Sequence, residues 1–147
     1  TIQSAAKARY AFADLTRWAR RYDVPLNPGR MRTNDAGACA RAVLAAGRLG
    51  QAREATAALF HAFWGEAAAL RTAWEILAVL DAAGLEIKAL EPLLDDPAIA
   101  AELAANTAEA AERGVFGAPT IFVGDDMFFG NDRLDFVRER LAQPVAA

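Results

Sequence analysis

The sequence predicts an α/β chain that is helical over most of its length and closes with a short β-hairpin and one more helix. About a quarter of its 147 residues are alanine, the strongest helix former. Up to Arg113, apolar residues recur at helical spacing between glycine stops. Beyond Pro119 the pattern changes to Thr120-Ile121-Phe122-Val123, a β-branched and aromatic run of the kind that packs in strands.

Residues from Ala8 to Tyr22 place Tyr10, Leu15 and Trp18 among arginines, an amphipathic pattern stopped by Val24-Pro25. Pro25 to Thr33, with Pro28-Gly29, reads as a loop. Asn34 or Asp35 can cap a helix that runs to about Leu49 and ends at Gly50. A third helix is expected from Gln51 to Trp64, closed by Gly65, and a fourth from Glu66 to Ala83, with Gly84 just past its end. A short helix follows at Ile87 to Leu94. Asp96-Pro97 then supplies a cap and a proline at the first helical position, opening a helix that ends at Gly114. The remainder reads as strand 119–123, a turn at Gly124-Asp125-Asp126, strand 127–129, and a helix from Asp132 to Ala142 capped by Asn131 or Asp132. Proline at the first residue of a strand costs no ladder hydrogen bond.

The net charge is −3 with no basic cluster. Nucleic-acid binding is disfavoured, because it depends on neutralising phosphates. Charged residues interrupt every apolar run short of membrane-spanning length. Thr1-Ile2-Gln3-Ser4 is not a signal peptide. The single cysteine, Cys39, allows no internal disulfide. Together these features predict a soluble protein of a reducing compartment, the cytoplasm.

Few residues here carry chemistry alone. Cys39 lies in an alanine-rich helix with no Cys-x-x-Cys partner and reads as a small packed thiol. His61, the only histidine, has no metal-ligand company and reads as a surface or interface residue. Trp18, Trp64 and Trp74 read as core, with the option of lining an aromatic pocket. Asp95-Asp96 reads as a cap with a solvated neighbour. Neither a phosphate-binding glycine loop nor a nucleophile motif occurs. The informative residues are Gly114-Val115-Phe116-Gly117-Ala118-Pro119 and, ten residues on, Phe129-Gly130-Asn131-Asp132-Arg133. X-Pro is the peptide bond that adopts cis at modest cost. The backbone N–H and C=O ahead of such a proline form an open edge, on which a peptide-like ligand can pair as an added strand.

In that order and separation, the two runs resemble the C-terminal half of a thioredoxin-like fold. More narrowly they resemble the 2-hydroxychromene-2-carboxylate isomerases and the related kappa-class glutathione transferases. The resemblance implies a glutathione site in which Ala118 and Pro119 form the cis-proline wall. Asn131 and Asp132 hold the γ-glutamyl end, and Arg133 is a structural ion-pair partner. It extends to Lys7-Ala8-Arg9-Tyr10…Asp14-Leu15, which resembles the family's Lys-x-x-Tyr-x-x-x-Asp-Leu. Lys7 is then expected at the glycyl carboxylate, where a point-charge donor suits a small anion.

The implied architecture is a thioredoxin-like fold carrying a large all-helical insertion, residues 7–96, and resuming at 97–147. The partner strands that the hairpin needs belong, on this resemblance, to a β-α-β unit upstream of Thr1. The serine that activates the glutathione thiol is expected there too, since Ser4 falls in the wrong place for that role. The implied activity is glutathione-dependent cis–trans isomerisation of 2-hydroxychromene-2-carboxylate, or a similar intermediate of aromatic degradation, by a homodimer. A kappa-like glutathione transferase would use the same site on another electrophile. A DsbA-like thiol–disulfide oxidoreductase would need an upstream Cys-x-x-Cys, and a helical binding module would need none of this chemistry.

Overall fold

A computed structural model describes residues 4–30 and 32–143; the expectation for Thr1 to Gln3 lies outside them. The described residues form seven α-helices and one two-stranded antiparallel sheet. They divide into two compact units, Thr1–Leu103 and Ala104–Ala147.

The first unit holds α1 (Ala5–Tyr22), α2 (Ala36–Arg48), α3 (Ala52–Phe60), α4 (Ala73–Ala82), α5 (Ile87–Leu94) and the start of α6 (Pro97–Glu112). Its core is built from small residues facing large ones. Ala42, Ala45 and Ala46 of α2 and Ala55 of α3 are fully buried, and they pack with Leu70, Ile76, Leu80, Leu90 and Ile99. Alanine at the contacts lets helix backbones approach closely, which leaves no space for tryptophan. Trp18 and Trp64 are only partly buried. Trp74 is 76% exposed, on the side of α4 away from Ile76 and Leu80. The core reading of the three tryptophans is corrected on that ground.

Three helices stop as their glycines predict. After α2, α4 and α6, Gly50, Gly84 and Gly114 take positive φ. The two N–H groups past each helix return to its last carbonyls, as in Leu85 to Leu80 at 3.1 Å and Gly84 to Asp81 at 2.9 Å. Asp35, not Asn34, caps α2, accepting from the Ala38 N–H at 2.8 Å.

The start of α4 differs from expectation because of contacts distant in sequence. The Asn34 side chain donates to the Ala68 carbonyl at 3.0 Å and accepts from the Leu70 N–H at 3.0 Å. The Asp35 N–H donates to the Leu70 carbonyl at 2.9 Å. These bonds claim backbone groups that a helix starting at Glu66 would need, so α4 begins only at Ala73. There Thr72 and Glu75 form a reciprocal capping box. The third helix gives way after Phe60 to a π-helical turn, His61–Gly65. In that turn Gly65 lies against Pro25, so closely that a Cβ would meet its ring at 2.9 Å.

In the second unit β1 (Thr120–Val123) pairs with β2 (Asp126–Phe129). The register sets Thr120 opposite Phe129 and Val123 opposite Asp126. The turn is therefore two residues, Gly124-Asp125, rather than three, and Asp126 joins the ladder. Gly124 takes φ +62° at the first turn position, as tight hairpins favour. The Arg113 guanidinium lies 3.6 Å from the centre of the Phe122 ring and tethers α6 to the hairpin. Arg140 of α7 (Leu134–Ala142) pairs with Asp126 at 2.5 Å. Asn131–Arg133 form a 3-10 turn before α7, so this helix starts two residues later than expected. Neither Asn131 nor Asp132 caps it.

Candidate functional site

The hairpin register brings four of the expected site residues together. Beyond the last strand pair, the Gly130 N–H donates to the Pro119 carbonyl at 3.0 Å, extending the ladder by one step. One step further lie Ala118 on one side and Asn131 on the other, with Asp132 next in the chain. The Ala118–Pro119 peptide bond is cis. Ala118 and Pro119 are both exposed, and no described residue takes up the Ala118 N–H or C=O in a hydrogen bond. The Ala118 backbone is therefore exposed immediately ahead of β1.

Asp132 is exposed, and one of its carboxylate oxygens pairs with Arg133 at 2.7 Å. Arg133 is thus an ion-pair partner, as the sequence suggests. The other oxygen, Oδ1, lies over Gly130, 2.5 Å from where a Cβ would stand. Gly130 has φ +102°, a conformation essentially reserved for glycine. Because Asp132 caps no helix N–H, its carboxylate remains at the surface beside the exposed Ala118 backbone. The chemistry of the set is a backbone donor and acceptor, a side-chain amide and a carboxylate. That set suits an extended ligand bearing an ammonium.

Sequence reasoning missed the braces of this loop. The Thr120 hydroxyl donates to the Gly117 carbonyl at 2.7 Å. The Phe129 ring sits on the bare Cα of Gly117 and tilts against Phe116, with ring centres 4.6 Å apart. The Phe129 contacts depend on the register, which decides which residue faces which.

Lys7 belongs to the other unit. It is exposed on the first turn of α1, where its backbone N–H donates to the Ser4 hydroxyl at 3.2 Å. Ser4 therefore caps α1. Cys39 is half-buried. Burial first, then the nearby Asp35 carboxylate, push its thiol pKa above the ordinary value, the reverse of what a reactive thiolate needs. His61 is exposed and 3.2 Å from Glu66. Among the described residues no three His, Cys, Asp or Glu side chains group to hold a metal. No described helix is long and apolar enough to cross a membrane.

Comparison with known proteins agrees with this fold. The model of the DSBA-like thioredoxin domain matches residues 1–142. A 2-hydroxychromene-2-carboxylate isomerase of Sphingobium xenophagum is 39% identical over 92% of this chain and 68% of its own. One from Pseudomonas putida is 35% identical over 87% of this chain and 62% of its own. A solved 2-hydroxychromene-2-carboxylate isomerase structure superposes with a TM-score of 0.72 at 31% identity, over 92% of this chain and 66% of that one. The chain belongs to the DSBA-like thioredoxin domain family, within the group of 2-hydroxychromene-2-carboxylate isomerases. It spans 68% and 62% of the length of these two curated relatives.

Proposed function

We propose that this chain is part of a glutathione-dependent isomerase that interconverts 2-hydroxychromene-2-carboxylate, or a closely related aromatic-degradation intermediate, and its open trans form. The observation that carries the proposal is the likeness to curated proteins of that name at 33–39% identity across most of the chain. The exposed backbone at Ala118–Pro119, beside Asn131 and Asp132, supports it.

Bound glutathione would supply a thiolate that adds to the conjugated double bond, frees rotation about it and leaves again, so one hard rotation becomes two easier steps. The chain's own residues bind and orient. Ala118 offers its N–H and C=O to the peptide backbone of the ligand as a strand would. Asp132 receives the γ-glutamyl ammonium, and Asn131 offers an amide beside it. On the family resemblance alone, Lys7 is assigned to the glycyl carboxylate.

The test is reduced-glutathione binding by calorimetry, on the protein as its gene encodes it, in wild-type form and as Asp132→Ala. Loss of a charge-assisted contact of about 1.5–3 kcal/mol corresponds to a weakening of roughly ten- to a hundredfold, with the melting midpoint nearly unchanged. Equal affinity in both proteins would remove Asp132 from the site. A kappa-like transferase reading shares this site and separates by substrate, a generic electrophile in place of the chromene acid.

A further inference from the structure

The Phe129 ring occupies a seat that only glycine can provide. A Cβ built on Gly117 would stand 2.7 Å from Phe129 Cε2 and 3.1 Å from Cζ, well inside contact distance. From that seat the ring also meets Phe116, at 4.6 Å between centres and a 50° tilt. Phe129 lies opposite Thr120 and immediately before Gly130, whose N–H holds the Pro119 carbonyl. The loop from Gly117 to Pro119 is thus held from three sides: by the ring on Gly117, by the Thr120 hydroxyl on the Gly117 carbonyl, and by Gly130 on Pro119. Two of these braces come from the segment that leads directly into Asn131 and Asp132.

We propose that Phe129 is a positioning residue. Seated on Gly117, its ring fixes the spacing between the Ala118–Pro119 edge and Asn131–Asp132, and so tunes the pair to a ligand that bridges them. This inference rests on the glutathione reading of the site. Phe129 is 42% exposed, so its ring contributes modestly to folding, while its displacement moves the wall of the site. A misplacement of about 1 Å can cost orders of magnitude where geometry matters.

The design of the seat allows a test in which folding and positioning separate. The atoms that a Gly117 methyl would strike are the far end of the Phe129 side chain, which can swing aside, so Gly117→Ala is expected to fold and to unseat the ring. Glutathione affinity and melting midpoint are measured by calorimetry for wild type, Phe129→Tyr, Phe129→Ala, Gly117→Ala and the double variant Gly117→Ala/Phe129→Ala. Phe129→Tyr, which keeps the ring, should bind as wild type does. Phe129→Ala and Gly117→Ala should each weaken binding about tenfold. The double variant should be no weaker than Phe129→Ala, because residues acting through one contact are not additive. Wild-type affinity in Gly117→Ala, or additive losses in the double variant, would overturn the positioning role while leaving the glutathione site in place. Absence of glutathione binding by the wild-type protein would instead overturn the reading on which the inference rests.

Discussion

Gly130→Ala is the substitution whose cost the structure defines most closely. Two effects act at this residue. Its φ of +102° lies in a region that side chains with a Cβ rarely adopt, at a cost of roughly 1–3 kcal/mol. The new methyl would also stand 2.5 Å from Asp132 Oδ1, so the carboxylate must rotate away. Asp132 and Arg133 are each about half exposed, and a surface ion pair of that kind is worth at most about 1 kcal/mol. The total is about 1–4 kcal/mol, mostly from the backbone. Urea unfolding, monitored for the hairpin unit by a backbone amide of β1 or β2, should show a loss of this size. In the Asp132→Ala background the steric part disappears and the backbone part remains, so Gly130→Ala should there cost about 1–3 kcal/mol. A loss below about 0.5 kcal/mol in both backgrounds would refute the reasoning. It would mean that the chain reaches Asn131 through a backbone geometry any residue tolerates.

Two further expectations concern ionisable groups in the helical unit. Glu75 closes the capping box of α4, and hydrogen bonds from Arg71, its side chain first, hold its pKa down to about 2 from 4.5. A depressed carboxylate pKa stabilises the fold above the unfolded value and loses that contribution as pH falls through the folded one. The start of α4 should therefore weaken only as pH drops from about 4.5 toward 2, and a carboxyl NMR titration placing Glu75 near its ordinary value would contradict the cap. Cys39, with its pKa raised by burial and by Asp35, should alkylate more slowly at neutral pH than a free thiol. Cys39→Ser should leave turnover unchanged, and a large loss of activity would identify Cys39 as a nucleophile after all.

How much was legible in the sequence follows from the range of each interaction. Helix stops at Gly50, Gly84 and Gly114 and the cap at Asp35 are local events, decided within a few residues, and the structure has them where the residues point. The Pro-led β-branched run gives the hairpin for the same reason. The late start of α4 was not legible. Glu66 to Arg71 would make an acceptable helix, but Asn34 reaches across more than thirty positions to take the Ala68 and Leu70 backbone groups. The exposed Trp74 has a similar origin, since the alanine-lined packing that excludes it exists only after the helices meet.

In the candidate site, the pairing of Ala118-Pro119 with Asn131-Asp132 was readable from motif order. The seat of Phe129 on Gly117 was not, because shortening the turn by one residue changes which strand residues face each other. What the sequence could not supply was how tightly that place is braced.

The most direct test of the proposed activity is turnover of 2-hydroxychromene-2-carboxylate by the protein as its gene encodes it, followed by absorbance with and without reduced glutathione. The account predicts that isomerisation requires glutathione, saturates with it, and falls sharply in Asp132→Ala. Equal turnover with and without glutathione would contradict it.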